Sequence, residues 1–318
     1  MEIKKPFFWD NEKLSIFSIL LLPFTLIIII SNFLKNLKRN DHKFQKIKTI
    51  CVGNIYIGGT GKTPLSIEIN KITKRHRCKT TFIKKFYLNS TDEQILLEKN
   101  GNCILAKNSR TNALKEAIIG KYDLAIFDDG LQDETINYDI KIVCFNSKNF
   151  IGNGFLIPSG PLREKISSLK KYDAVFLNGY SKNLKSKIDK IKKYNNKIKI
   201  FQTTYSLINQ NGINKQSKFL AFAGIGAPEN FKRTLESHGF NIVKFLPYPD
   251  HYDYSANEIK VIKQIATSFK AKIITTEKDY LRIKNNYNMK NENKIKFIKM
   301  KLKIKNEKKF VNFLNSKI

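Results

Sequence analysis

Gly58-Gly59-Thr60-Gly61-Lys62-Thr63-Pro64 decides how the rest of the chain is read. The apolar run Ile47 to Ile57 precedes it and reads as a buried strand. Leu65, Ile69 and Ile72 follow at helical spacing and predict a helix over Pro64 to His76. A glycine-rich turn between a strand and a helix is the context of a phosphate-binding loop. The glycines let backbone N–H groups converge on an anion, and the helix N-terminus adds partial positive charge. Lys62 is placed to reach the terminal phosphates of a nucleotide such as ATP, and the Thr63 hydroxyl to sit on Mg²⁺. The glycine that the general pattern wants earlier in the loop is Tyr56, and Gly58 and Gly59 partly make up for it.

The 318 residues are enough for two domains, and a hydrophobic content of 42% is ordinary for a folded chain. The formal net charge of +31 suits nucleic acid, a membrane surface or a phosphorylated substrate. Lysine is nevertheless spread along the whole chain, and no compact Arg-rich or aromatic-interleaved block marks a nucleic-acid groove. The charge therefore supports an anionic partner only weakly, and no nucleic acid or obligate protein partner is expected. Cys51, Cys78, Cys103 and Cys144 lie far apart with no Cys-x-x-Cys. They predict buried free thiols in a reducing compartment, and neither zinc nor disulfides.

Lys13 and Lys35 bracket a charge-free stretch, Leu14 to Leu34, with Pro23 as a kink. Its length serves for spanning a bilayer or lying in one leaflet, and the competing reading is a buried helix of a soluble body. No small-x-small cleavage site follows, which argues against a secretory signal. Lys35, Lys38, Arg39 and Lys43 hold the downstream body in the cytoplasm. Short apolar strands then alternate with helices. Strands are predicted at Thr80 to Ile83, Cys103 to Ala106, Leu124 to Phe127, Lys141 to Phe145 and Ala174 to Leu177. Lys84 to Glu93 reads as a polar connection, with Asp92-Glu93 opening a helix and another helix over Arg110 to Ile119. Gln202 to Lys218 reads as a hinge or hairpin. Beyond it come strands at Phe219 to Ala223, Ile242 to Leu246 and Lys272 to Thr276, and helices over Glu229 to Ser237 and Ala256 to Phe269. Ser255 and Glu258 form a capping box for the last of these. The tail Lys294 to Lys305 alternates Lys with apolar residues and predicts an exposed strand, with a return to the hinge as its course. The expected fold class is α/β, with two α/β/α domains of mostly parallel sheets, the first P-loop NTPase-like, behind an N-terminal membrane-associated helix. The division is 1–40 for that helix, 41–205 for the P-loop domain and 206–318 for the smaller domain with hinge and tail.

Three further constellations carry chemistry. Asp128-Asp129-Gly130 ends a hydrophobic strand, where a P-loop protein keeps its Mg²⁺-holding aspartate; the competing reading is an Asp-Gly turn. Gly152-Asn153-Gly154 and Pro158-Ser159-Gly160-Pro161-Leu162-Arg163-Glu164 form a turn-dense loop. Either Arg163 meets a phosphate there and Glu164 a hydroxyl or cation, or the loop only connects. Asp250-His251-Tyr252 suggests acid–base chemistry or a plain surface histidine.

In this order, and with Val52-Gly53-Asn54, Asp92-Glu93, Leu131-Gln132, Ala221-Phe222-Ala223-Gly224-Ile225-Gly226, Pro249 and Thr275-Thr276-Glu277-Lys278-Asp279, these motifs resemble the tetraacyldisaccharide 4'-kinase family of lipid A biosynthesis. The resemblance covers about residues 50 to 280. It implies an ATP- and Mg²⁺-dependent lipid kinase at the cytoplasmic face of a bacterial inner membrane. That kinase phosphorylates the 4'-hydroxyl of tetraacyldisaccharide 1-phosphate to give lipid IVA. By match, Gly58, Gly59, Thr60, Gly61, Lys62 and Thr63 hold ATP, and Thr63, Asp128 and Asp129 organise the metal. Asp92 takes the proton of the sugar hydroxyl, and His251 pairs with Asp92 across a cleft. Glu93, Arg110, Arg163 and Glu164 line the substrate side. Three departures stand out: Lys85-Phe86-Tyr87-Leu88 replaces the family's Arg-Gly-Tyr-Gly, Asp133 its histidine, and Ala227 its asparagine. The rival class is a membrane-associated P-loop ATPase switch without a lipid acceptor.

Overall fold

The computed structural model describes residues 6–11, 15–37, 46–87, 91–179, 183–210, 212–226, 228–250, 252–286 and 295–317; the side chains of 31–37, 91–92 and 285–286 are outside the description. The chain divides into two compact units. The first comprises Met1–Tyr87, Leu96–Thr204 and Ile304–Ile318, and the second Leu88–Ile95 and Tyr205–Lys303.

The apolar N-terminal stretch forms two helices, α1 (Ile16–Leu20) and α2 (Leu22–Leu37), where the sequence suggested one. Pro23 has no N–H to give the preceding turn, but it is tolerated at the second position of a new helix, whose first N–H groups are unpaired anyway. The chain therefore restarts at Leu22. No described helix is long and apolar enough to cross a membrane.

The first unit continues through β1 (Lys48–Gly53), α3 (Lys62–Arg75), β2 (Thr80–Lys85), α4 (Thr91–Glu98), β3 (Asn102–Ala106), α5 (Arg110–Ile119), β4 (Leu124–Asp128), β5 (Ile140–Asn146), β6 (Ala174–Asn178), α6 (Leu184–Tyr194) and β7 (Lys199–Leu207). The start of α4 groups with the second unit. From β7 to β3 the sheet runs β7-β6-β5-β1-β4-β2-β3, every pair parallel. Near-continuous apolar runs in β1, β4 and β6 match a sheet buried on both faces. Cys51, Phe127, Val143 and Phe145 pack on one face with Ala113, Leu114 and Ala117 of α5 and Ile191 of α6. The helix α3 crosses β1, β2 and β4 on the other face. Strand order reverses around β1, so the carboxyl ends of β1 and β4 border the crevice where such sheets bind ligands.

The second unit holds β8 (Lys218–Ala223), α7 (Pro228–Ser237), β9 (Asn241–Pro247), α8 (Ala256–Ser268), β10 (Lys272–Thr276), α9 (Glu277–Asn286) and β11 (Ile295–Ile298). Its sheet, β11-β10-β8-β9, is parallel throughout. Phe231 and Leu235 of α7 pack on one face, and Ile259 and Ile262 of α8 on the other. Ser255 and Glu258 make both bonds of the expected capping box.

The tail forms strand and returns beside the hinge as expected, but it is not exposed. It forms β11 and then β12 (Met300–Ile304), which joins the larger sheet beside β7. Ile295, Ile298, Leu302 and Ile304 are buried, so the alternation marks strands with one inward face and not an exposed strand. A final helix, α10 (Glu307–Asn315), follows. The sequence reading assigned it to the smaller domain, yet residues 304–318 group with the first unit. Its Phe310 ring lies 5.1 Å from both Phe176 and Phe201. The polar stretch read as a hinge is partly strand, because β7 runs on to Leu207.

Candidate active site

Between β1 and α3 the glycine-rich turn takes the shape its sequence demands. Gly61 caps α3 at φ +83° and Gly58 sits at φ +116°, a region that L side chains rarely adopt. Lys62 and Thr63 open α3, so the free N–H groups of its first turn, the Lys62 ammonium and the Thr63 hydroxyl come together. Side chains brace the loop. The buried Asn54 amide donates to the Gly58 carbonyl at 3.3 Å and to Thr60 Oγ1 at 3.0 Å. Asn178, at the end of β6, donates to the Thr60 carbonyl and accepts from the Thr203 hydroxyl.

Asp128 closes β4 and is buried. Its Oδ2 accepts from Thr63 Oγ1 at 2.9 Å and from Lys84 Nζ at 2.8 Å, and its Oδ1 from Ser66 Oγ at 3.3 Å. Lys84 is a correction to the sequence reading, which placed it in a polar connection. The strand β2 extends to Lys85, and the parallel register sets Lys84 directly beside Asp128. Lys84 is only 4% exposed.

Asp129 turns the chain at φ +63°, a left-handed conformation that Asp tolerates better than most residues. Lys62 Nζ lies 3.6 Å from its Oδ2, and Arg163 Nη1 donates to Oδ1 at 3.2 Å. Burial opposes ionisation of Asp129, but Lys62, Arg163 and Lys84 outweigh it and hold the carboxyl below the usual carboxylate range. Arg163 arrives through backbone pairing of its own loop with the phosphate loop. Ile57 N–H donates to the Pro161 carbonyl at 2.8 Å and Arg163 N–H to the Ile55 carbonyl at 2.7 Å. Glu164 accepts from Gln132 Nε2 and from Tyr172 OH, both at 2.8 Å, and Gln132 also donates to the Asn54 carbonyl at 2.9 Å.

Arg110 is not poised toward an open site. It donates to the Asp129 carbonyl at 2.6 Å and to Asp133 at 3.0 Å, and so holds the Asp128-Asp129-Gly130 turn from behind. Asp133 is thereby a built ion-pair partner. Burial opposes its charge, but bonds from Thr135 and Arg110 keep its carboxyl below the usual range. Glu93 pairs with Lys278 at 3.2 Å. The Asp92 side chain and all of His251 lie outside the described residues. Sequence reasoning gave no role to Lys84, Asn178 or Gln132. Gln132 had a signal in its motif, whereas the other two are visible only through strand register.

Among the described residues, no group of three or more His, Cys, Asp and Glu could hold a metal by itself. The Thr63 hydroxyl donates its hydrogen bond to Asp128 and keeps lone pairs for an ion such as Mg²⁺. The loop itself, with convergent N–H groups and a lysine, has the donor set of a nucleotide polyphosphate site.

Comparison with known proteins agrees in family and in fold. The family described as tetraacyldisaccharide-1-P 4'-kinase matches residues 15–318. The tetraacyldisaccharide 4'-kinase of Pelagibacter ubique is 48% identical over 314 residues, covering 99% of this chain and 98% of the relative. That of Rickettsia bellii is 33% identical over 305 residues, covering 87% and 89%. LpxK from Aquifex aeolicus, solved in complex with ATP, superposes with a TM-score of 0.64 at 20% identity, over 94% of this chain and 98% of its own. At that identity the likeness is one of fold.

Proposed function

This chain belongs to the tetraacyldisaccharide-1-P 4'-kinase family, and on that premise we propose how its residues divide the work of phosphorylating the lipid. The enzyme is a lipid A 4'-kinase: it places a phosphoryl group on the 4'-hydroxyl of tetraacyldisaccharide 1-phosphate, giving lipid IVA. ATP is the donor. Gly58 to Thr63 at the N-terminus of α3 would hold the β- and γ-phosphates, and Lys62 would meet them. Thr63 and Asp128, with Asp129 beside them, would hold Mg²⁺, which would supply charge neutralisation for the phosphoryl group in transfer. Lys62 and Arg163 give up part of their contact with Asp129 to meet the phosphates. Their charges are already in place, so little reorganisation is needed when the reaction occurs. Asp92 accepts the proton of the attacking hydroxyl. An aspartate with a pKa near about 3.9 is a weak base at neutral pH, so it needs orientation, and His251 supplies it. The observation that carries this reading is the meeting of Lys62 and Arg163 on Asp129, beside the Thr63–Asp128 pair.

The enzyme works at the inner-membrane surface, facing the cytoplasm. In support, Ile16, Phe17, Ile19, Leu20, Phe24, Leu26, Ile27 and Ile30 are exposed along α1 and α2. The opposite side of the same segment is tied down: Thr25 bonds Ser159 at 2.8 Å, and the Asn153 amide donates to Ser18 at 3.1 Å. An apolar face that is exposed while its back is fixed suits burial in one leaflet, where each CH₂ gains about 0.8 kcal/mol.

The test is transfer of label from γ-labelled ATP to tetraacyldisaccharide 1-phosphate in detergent micelles with Mg²⁺. Wild type transfers label, Lys62→Ala does not, and Asp92→Ala loses kcat with little change in ATP affinity. ATP hydrolysis without lipid labelling would instead support a membrane-associated ATPase switch.

A further inference from the structure

We propose that Lys84 is a positioning residue that acts through Asp128 and sets how strongly nucleotide binding depends on Mg²⁺. The proposal rests on the nucleotide site described above. Three observations lead to it. Lys84 is almost fully buried, which a lysine accepts only with charge compensation. Its ammonium lies 2.8 Å from the same Asp128 oxygen that accepts a hydrogen bond from Thr63 Oγ1 at 2.9 Å. Register makes this pairing unavoidable, since Lys84 and Asp128 are direct neighbours on parallel strands and share a face.

The consequence follows from charge. The two aspartates of the site meet three cations: Lys62, Lys84 and Arg163. Asp128 would otherwise present an uncompensated carboxylate beside the Thr63 hydroxyl, which repels phosphate and attracts a divalent cation. Lys84 cancels that charge from behind. Bare nucleotide then binds better than it would without Lys84, and the additional gain from Mg²⁺ is smaller. Lys84 thus takes over part of the charge neutralisation that the metal supplies, without touching the transferred group.

The experiment is calorimetric titration of ADP into the full-length protein in detergent micelles, with excess Mg²⁺ and again with EDTA. The readout is the ratio of the two Kd values. Lys84→Gln keeps a hydrogen-bond donor to Asp128 but removes the charge. Lys84→Arg keeps the charge. We expect Lys84→Gln to raise the ratio about tenfold, mostly by weakening the EDTA titration, as one unit charge about 6 Å from a phosphate implies at an effective dielectric of about 40, where the solvent that enters the open nucleotide site screens it. Lys84→Arg stays within about threefold of wild type. A thermal melt accompanies each variant, because a buried carboxylate without its counter-ion lowers stability whatever its role. An unchanged ratio in folded Lys84→Gln overturns the proposal, as does Lys84→Arg behaving like Lys84→Gln. If wild type binds no ADP in either condition, the nucleotide assignment falls with it. If wild type binds and only the ratios fail to move, Lys84 is structural and the site stands.

Discussion

Replacing Asn178 by alanine tests whether the phosphate loop is held in shape from the neighbouring strand. Asn178 is 2% exposed; it donates to the Thr60 carbonyl and accepts from Thr203 Oγ1. Thr60 and Thr203 are themselves buried, at 1% and 0% exposure, so water cannot replace the lost partner. A buried polar group left unpaired costs about 1–3 kcal/mol, and the substitution leaves two, for a loss of about 2–6 kcal/mol. For a folding unit of this size each kcal/mol moves the melting midpoint by about 2–4 °C, so Asn178→Ala lowers it by about 4–24 °C. The freed Thr60 carbonyl also loosens the turn that presents N–H groups to phosphate. The KM for ATP therefore rises, while the KM for lipid changes little. Differential scanning calorimetry and steady-state kinetics read the two effects separately. A midpoint within about 2 °C of wild type, with an unchanged KM for ATP, would refute the idea that Asn178 braces the loop.

Other outcomes follow from the same geometry. Phe310→Ala removes a fully buried ring that packs on Phe176 and Phe201, and costs about 3–5 kcal/mol in urea unfolding of the first unit; a negligible loss would mean that α10 is not part of that core. Asp129 titrates lower when folded than the unfolded value of about 3.9. Its contribution is present above the unfolded pKa and is lost as pH falls through the folded one, so Asp129→Asn flattens stability against pH in that acid window. A curve of unchanged slope would separate Asp129 from its cations. Deleting residues 1–40 frees the protein from anionic vesicles in a flotation assay. It also lowers kcat, because Trp9 donates to the Pro158 carbonyl at 3.0 Å and Thr25 holds Ser159 in the loop that carries Arg163. Continued flotation of the truncated chain would move the anchor to the body.

The site divides into a part that local sequence announces and a part that it does not. Gly58 to Thr63 could be read directly, because a strand, a glycine turn and a helix are each marked by spacing over a few residues. The helix Arg110–Ile119 and the capping box at Ser255 were legible for the same reason. Arg110 shows the limit: its position at a helix start was visible, but its use behind Asp129 depends on a turn contributed by another part of the chain. The helix α10 was missed because its amphipathic pattern carries no sign of which sheet will cover it. Lys84 was misplaced because two consecutive lysines after an apolar strand look like its polar end.

The sequence alone determined the alternation of strands and helices, the phosphate loop, the order of the motifs and so the family, since all of these are properties of short contiguous stretches. Only the tertiary structure decided the company those residues keep. Lys84 meets Asp128 across 44 positions of chain, and Asn178 meets Thr60 across 118. Contacts at such distances are set by strand register and by which strands become neighbours. Those follow from the packing of the whole sheet, where burying every apolar face at once leaves one arrangement, and no short window of sequence contains that condition.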